Sequence, residues 1–173
     1  PERLDLGKIG FRSVAVDTAD GDFRVRINDV SVFCRGACWT PLDPVSLRAS
    51  PEDVRAAIAQ VRAAGMNMLR VPGMITYESD EFLDRCDEEG VLLWQDFMFA
   101  NMDYPDQDPA FRASVTTEAR QLLSRLAGRP CVAVLCGNSE GEQQAAMWGV
   151  PRERWSQPLF HDLLPALCAD HAP

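Results

Sequence analysis

The pattern of hydrophobic and polar positions changes its period near residue 36 of this 173-residue chain. Before that point, apolar and polar residues alternate over Phe23-Arg24-Val25-Arg26-Ile27, the two-residue period of a strand with one buried face. Asp20-Gly21 and Asn28-Asp29, on either side, are residues typical of hairpin turns. The pattern predicts a short antiparallel β region within residues 1–35.

After residue 36, apolar runs alternate with amphipathic stretches. The runs predict strands at 36–39, 66–71, 91–94 and 131–135, and the last, with five unbroken apolar residues, is predicted to be buried on both faces. Helices are predicted after Ser50, within 81–89, after Asp108 and from Pro158, each with apolar residues at helical spacing, and the first, third and fourth with a cap or a proline at the start. The sequence therefore predicts an α/β fold of four strand–helix units.

Two architectures accommodate such units, an open doubly wound sheet and a closed (β/α)8 barrel. No glycine-rich phosphate-binding motif follows any predicted strand, so the nucleotide-binding open sheet has no support. A barrel needs eight units and about 250 residues. Residues 36–173 are therefore interpreted as the first half of a (β/α)8 barrel, preceded by the antiparallel segment.

Polar and aromatic side chains gather where the predicted strands end, and in a barrel these ends meet at one rim. Acids, amides, an arginine and indole rings together suit a sugar, because carboxylates move protons and aromatic faces stack on C–H groups. Simpler roles stay open: Trp94 as a core residue, Arg70 as a structural ion-pair partner, Glu140 as an acid in the first turn of a helix at 141–147. The rim candidates are Trp39, Asp43, Arg70, Trp94, Gln95, Asp96, Asn138 and Glu140.

The net charge of −9 and a pI near 4.7 argue against a nucleic-acid surface, which needs a basic face. No apolar run has the length of a membrane span, and no signal-like segment opens the chain. The six cysteines are interpreted as reduced and mostly buried, which favours the cytoplasm. Cys34 and Cys38 have no matching ligand pair elsewhere, so neither a metal nor a cofactor is expected.

Several blocks of sequence together carry a resemblance to a known family. They are Ile9-Gly10-Phe11-Arg12, Arg35-Gly36-Ala37-Cys38-Trp39-Thr40-Pro41-Leu42-Asp43, Leu69-Arg70-Val71, the run 82–90, Trp94-Gln95-Asp96-Phe97-Met98-Phe99-Ala100, Tyr104-Pro105 and the run 136–140. In this order they resemble glycoside hydrolase family 2, and within it the β-mannosidase branch. The resemblance extends from residue 9 to about residue 149.

The resemblance implies that residues 1–35 end an immunoglobulin-like β-sandwich domain and that residues 36–173 begin the catalytic barrel. It implies retaining, exo-acting hydrolysis of terminal β-linked sugars, foremost β-D-mannosides, with Glu140 as general acid/base. The positions that would shape the sugar subsite are Trp39, Asp43, Arg70, Trp94, Asp96, Asn138 and Ser139. The chain departs from the family in having Ser139 directly before the acid/base residue, with Asn138 one position earlier, and Val71-Pro72-Gly73-Met74 after Arg70.

A retaining glycosidase needs a second carboxylate about 5 Å from the first. In the family this nucleophile comes from the second half of the barrel. Asp96 is the local substitute, but it is expected to bind a sugar hydroxyl instead. We therefore expect the 173 residues alone to lack turnover.

Other readings of the same residues remain open. One is a non-catalytic carbohydrate-binding half-barrel, and another is a different family 2 activity such as β-galactosidase or β-glucuronidase. The open edges of four strands also favour a homo-oligomer.

Overall fold

The structure is a computed structural model, and it describes residues 9–171. These residues form two compact units: residues 9–70, 78–94 and 128–133 make up the first, and residues 71–77, 95–127 and 134–171 the second. Residues 1–8 and 172–173 of the two predicted domains lie outside the described residues.

The antiparallel region is confirmed as a three-stranded sheet. Strands β1 (Val14–Asp17), β2 (Arg24–Ile27) and β3 (Val30–Val32) pair in that order. Asn28 and Asp29 connect β2 to β3 with φ of 49° and 63°, the left-handed conformation that a two-residue hairpin turn requires. The assignment of this sheet to a β-sandwich domain stays a prediction.

The second sheet contains four strands in the order β4-β5-β6-β7, which is the chain order. They are β4 (Gly36–Cys38), β5 (Met68–Val71), β6 (Leu92–Asp96) and β7 (Val132–Cys136). The helices between and after them are α1 (Pro51–Ala63), α2 (Asp80–Glu89), α3 (Pro109–Leu126), α4 (Gln143–Met147) and α5 (Leu164–His171), the last preceded by a π-helical turn, Leu159–Leu163. The predicted α/β fold of four strand–helix units is confirmed.

Local sequence explains where the helices begin. The Ser50 hydroxyl accepts a hydrogen bond from the Asp53 backbone N–H (3.1 Å) and donates one to the Asp53 carboxylate (2.8 Å). The Asp108 carboxylate accepts a bond from the Ala110 N–H (2.8 Å). Such caps satisfy N–H groups that have no partner within the helix, and the prolines that follow at 51 and 109 lose no bond there.

Two predictions about burial are wrong. In the run 131–135 only Cys131 and Val132 are buried, and the rest of the run is half-buried, because β7 is an edge strand of its sheet. Cys38 is exposed on β4, the other edge strand. None of the six cysteines, all within residues 9–171, forms a disulfide bond, and burial raises the pKa of the Cys86 thiol to about 12. No helix within residues 9–171 is long and apolar enough to cross a membrane.

The Ile-Gly-Phe-Arg block fixes the beginning of β7. The Arg12 guanidinium donates hydrogen bonds to the carbonyl oxygens of Pro130 (2.9 Å), Arg129 (3.5 Å) and Val132. A Cβ atom on Gly10 would lie 2.6 Å from Pro130 Cγ, so only glycine fits at that position without a shift. This block of the family resemblance is therefore structural.

Candidate active site

The carboxylate of Glu140 is exposed in the segment that follows β7. We call residues 138–142 the acid loop. Glu140 has a φ of 64°, in the left-handed region that costs a residue with a side chain about 1–2 kcal/mol. A residue other than glycine keeps this conformation only where its surroundings hold it there.

The residue before Glu140 is fixed by its backbone. The Ser139 N–H donates to the Phe99 carbonyl (3.0 Å), and the Asn101 N–H donates to the Ser139 carbonyl (3.1 Å). These two bonds form an isolated parallel bridge between residues 100 and 139, beyond the ends of β6 and β7. Ser139 itself is 5% exposed, and its predicted place in the sugar subsite stays a prediction.

The residue after Glu140 is fixed by a side chain. The Asn138 amide oxygen accepts a hydrogen bond from the Gly141 N–H (2.9 Å) and closes the turn around Glu140. A Cβ atom at residue 141 would lie 2.8 Å from that oxygen, which explains the glycine. Because the turn uses the amide oxygen, the amide nitrogen of Asn138 is the group that can face a sugar hydroxyl.

The last residue of the acid loop is also anchored. Glu142 Oε1 accepts a hydrogen bond from the Gln157 backbone N–H (2.9 Å), and both Glu142 carboxylate oxygens lie 3.0 Å from His161 Nε2. No sequence pattern predicts this contact, because nineteen residues separate the partners and neither directly follows a predicted strand.

An aromatic cluster stabilises the same unit. The Tyr104 ring packs edge-on against Phe99 and Phe160, with centroids 5.1 and 6.0 Å away, and stacks on Phe111 at 6.1 Å. The Tyr104 hydroxyl accepts from the Ala100 N–H (2.7 Å) and donates to the Ala100 carbonyl (3.2 Å). Tyr104 therefore holds the chain just after β6, where Phe99 pairs with the acid loop.

Asp96, the last residue of β6, is completely buried. One of its carboxylate oxygens accepts a hydrogen bond from the Gly73 N–H (3.2 Å), and the adjacent Gln95 is 2% exposed. A carboxylate at this depth is poorly placed to attack a sugar, which fits the expectation that Asp96 is not the nucleophile. Its role in binding a hydroxyl stays a prediction.

In the other unit, Arg70 and Trp94 are brought together. The Arg70 guanidinium carbon lies 5.5 Å from the centroid of the Trp94 ring, a cation–π contact between the neighbouring strands β5 and β6. The contact fixes both side chains, and the half-buried indole retains exposed surface. A role of Arg70 and Trp94 in binding a sugar stays a prediction.

Trp39 has a more structural environment than expected for a sugar-stacking residue. It is 8% exposed, its ring packs on Phe82 with centroids 4.8 Å apart, and its Nε1–H donates to Glu78 (2.8 Å). Glu78 is half-buried and bound to this indole. An indole N–H buried in a core needs such an acceptor, and only the structure shows which one it has.

Asp43 uses its carboxylate to close a turn. It accepts hydrogen bonds from the Ser46 hydroxyl (2.6 Å), the Val45 N–H (2.8 Å) and the Ser46 N–H (3.2 Å), and these bonds, the hydroxyl's foremost, lower the pKa of its carboxyl group. Asp43 also lines an open cleft of about 430 Å³ against α1. A direct contact between Asp43 and a sugar stays a prediction.

The left-handed backbone of Glu140 gives a prediction about stability. Replacing Glu140 by glycine is expected to give a free energy of unfolding about 1 kcal/mol higher than replacing it by alanine, because glycine adopts a positive φ without strain. Urea denaturation of the two variants measures the difference. Equal stability would mean that Glu140 does not have this conformation in solution.

No family model matches the sequence. Among curated proteins, β-mannosidase B of Aspergillus niger is 35% identical to the chain over 96% of its length, and the aligned region is 22% of that protein. The β-mannosidase of Mus musculus is 39% identical over 69% of the chain and 14% of its own length. The chain thus spans about a fifth of the length of the first of these relatives.

Solved structures give the same picture. The β-D-mannosidase of Dictyoglomus thermophilum superposes with a TM-score of 0.85 at 37% identity, over 95% of this chain and 21% of that one. Two less similar structures share the fold. The exo-chitosanase CsxA of Amycolatopsis orientalis superposes with a TM-score of 0.69 at 21% identity, over 88% of this chain and 19% of that one. A β-glucuronidase of Bacteroides uniformis superposes with a TM-score of 0.73 at 18% identity, over 94% of this chain and 19% of that one. Together with the sequence blocks described above, these matches show that the chain is a β-mannosidase-like segment of glycoside hydrolase family 2.

Proposed function

We propose that this chain supplies the acid/base portion of a retaining, exo-acting glycosidase that removes terminal β-D-mannosyl residues. The observation that carries the proposal is the exposed Glu140 carboxylate in a strained loop directly after β7, fixed by hydrogen bonds on both sides. The carboxyl ends of barrel strands are where such folds carry their chemistry. The names of the relatives and the match to a solved β-D-mannosidase support the choice of sugar.

In the proposed reaction Glu140 acts twice. As a carboxylic acid it gives its proton to the glycosidic oxygen while the bond from that oxygen to the anomeric carbon breaks, and a nucleophilic carboxylate forms a bond to the same carbon. As a carboxylate it then removes a proton from the water that releases the sugar. Two displacements at one carbon retain the β configuration.

The remaining candidates bind the sugar or support those that do. Arg70 and Trp94 offer a cation and a half-exposed indole held together, and the Asn138 amide nitrogen lies beside the acid loop. Trp39, Asp43, Asp96 and Ser139 make protein contacts that favour supporting roles.

The nucleophile belongs to a part of the parent protein outside these 173 residues. Besides Glu140, the candidate site in the second unit contains the carboxylates of Asp96, which is fully buried, and Glu142, which is bound to Gln157 and His161. We therefore expect the isolated 173-residue chain to show no glycosidase turnover. A cytoplasmic location and self-association through the edges of β4 and β7 are further predictions from the sequence.

The test uses the full-length protein that contains this sequence and a panel of 4-nitrophenyl β-glycosides: mannoside, glucoside, galactoside and glucuronide. We expect the mannoside to have the highest kcat/KM, and proton NMR during its hydrolysis to detect the β anomer of mannose first. First formation of the α anomer would contradict the retaining mechanism. Binding of mannose without turnover of any glycoside would favour the carbohydrate-binding module instead.

A further inference from the structure

Glu142 connects the acid loop to the segment that follows α4. Its carboxylate accepts the Gln157 backbone N–H at 2.9 Å and lies 3.0 Å from His161 Nε2 through each oxygen. An ionised carboxylate can only accept, so Nε2 carries the hydrogen in this contact. One side chain therefore makes three contacts with residues 15 and 19 positions away.

Partial burial strengthens the contact between Glu142 and His161. The Glu142 side chain is 13% exposed and that of His161 is 40% exposed, so water competes for the carboxylate only weakly. Fully exposed ion pairs contribute little to stability, whereas partly buried and charge-assisted hydrogen bonds contribute more. Gln157 N–H adds a neutral donor, so the carboxylate has partners from two separate residues.

The partner segment is itself firmly held. His161 lies in the π-helical turn Leu159–Leu163, in which Leu159 and Phe160 are buried. The Phe160 ring packs against Phe99 and Tyr104, with centroids 6.2 and 6.0 Å away. Insertions of this helical type are rare and occur frequently at functional sites. An anchor point with this packing can hold the acid loop in one place.

We propose that Glu142 and His161 are positioning residues that fix the acid loop and thereby the place of the Glu140 carboxyl group. The inference rests on the proposed function, in which Glu140 is the general acid/base. On one side of Glu140, backbone pairing of Ser139 with Phe99 holds the loop. On the other side, the Glu142–His161 contact holds it together with the Gln157 N–H, and loss of the His161 contact removes one of the constraints that keep residue 140 in the left-handed conformation.

A displaced acid has a kinetic signature that general destabilisation lacks. Proton donation is needed to expel a poor leaving group such as phenol, and it is hardly needed for 2,4-dinitrophenol, which leaves as a stable anion. A displacement of the Glu140 carboxyl group therefore slows cleavage of phenyl β-mannoside and spares 2,4-dinitrophenyl β-mannoside. A loss of folded protein lowers both rates by the same factor.

The experiment compares His161→Leu, His161→Gln and Glu142→Gln in the full-length protein, with Asp162→Asn, a change at the exposed residue next to His161, as control. For His161→Leu we expect kcat/KM for phenyl β-mannoside to fall about ten-fold or more, and that for the dinitrophenyl substrate to stay within about two-fold, because small misplacements of a catalytic group are costly. His161→Gln keeps an N–H donor and should recover most of the loss. Glu142→Gln should show the same selectivity more weakly, and Asp162→Asn none.

The outcomes separate this inference from the proposed function on which it rests. Equal losses for both substrates, or no loss for either, in both His161→Leu and Glu142→Gln overturn the positioning role. If Glu140→Gln shows the leaving-group dependence and these variants do not, only the positioning role is overturned. If Glu140→Gln itself shows no such dependence, the acid/base assignment is wrong, and the positioning role is overturned with it.

Discussion

Replacing Glu140 by glutamine in the full-length protein is expected to lower kcat/KM for phenyl β-D-mannoside by about 10²- to 10⁴-fold, the usual contribution of general acid/base catalysis. Glutamine matches the shape of the side chain but has no proton to give. The same variant should cleave 2,4-dinitrophenyl β-D-mannoside with nearly unchanged kcat/KM, because that leaving group needs no acid. Steady-state kinetics over a series of aryl mannosides measures both effects.

A second readout tests the same carboxylate in its role as base. After the nucleophile has formed a glycosyl intermediate, azide reacts with it without needing a base. Replacing Glu140 by alanine leaves space for the anion, and we expect azide to raise the rate and give β-mannosyl azide. Glu153→Gln, which alters an exposed acid of the same unit, is the matched control and should change neither rate. Uniform losses over the whole aryl series would contradict the acid/base assignment.

The helices and the two sheets could be predicted from the sequence because their determinants are local. Ser50 and Asp108 cap their helices through bonds to residues two or three positions away, and the Asn28-Asp29 turn depends only on its own φ angles. Alternation and apolar runs then place the strands. Caps, turns and hydrophobic periods can be recognised without knowing which segments of the chain pack together.

The candidate site could be predicted only to the extent that strand ends carry functional groups. Glu140 was found because a polar group follows an apolar run and because the family resemblance covers that run. The roles of its neighbours were not accessible. Asn138 and Ser139 each follow the same strand, but which of them closes the turn and which is buried depends on contacts with Gly141 and Phe99.

Long-range partners account for the other errors. The Trp39 indole was expected to face a sugar, and its contact with Glu78 joins residues 39 positions apart. His161 follows no predicted strand, and its contact with the acid loop joins residues 19 positions apart. The edge position of β7 reduces the burial of an apolar run, and strand order is a property of the whole sheet. No short-range pattern encodes these facts.

Replacing Gly73 by alanine is expected to lower the free energy of unfolding by about 3 kcal/mol, at the upper end of the range for overpacked sites. The added Cβ atom would lie 2.2 Å from the Phe97 carbonyl oxygen and 3.3 Å from the Asp96 Cβ. A backbone carbonyl cannot rotate away as a side chain does, so the 72–77 loop must move. Urea denaturation measures the loss.

The loop has little freedom to make that movement. At its other end the Tyr77 hydroxyl donates to Glu118 (2.8 Å) and accepts from the Met98 N–H (3.3 Å), and burial raises the pKa of this phenol well above its ordinary value. Any shift at residue 73 therefore stretches the bond from the Gly73 N–H to Asp96 (3.2 Å) and leaves a buried carboxylate with one donor fewer.

Gly149→Ala separates the steric cause from a conformational one. Gly149 has a φ of 71° with nothing within 4 Å of an added Cβ, so alanine there costs only the left-handed strain, about 1 kcal/mol. Gly73→Ala should cost clearly more, because its penalty comes from atoms that cannot move aside. Equal losses in the two variants would contradict the close approach of residue 73 to β6, and with it the buried contact that holds Asp96 in place.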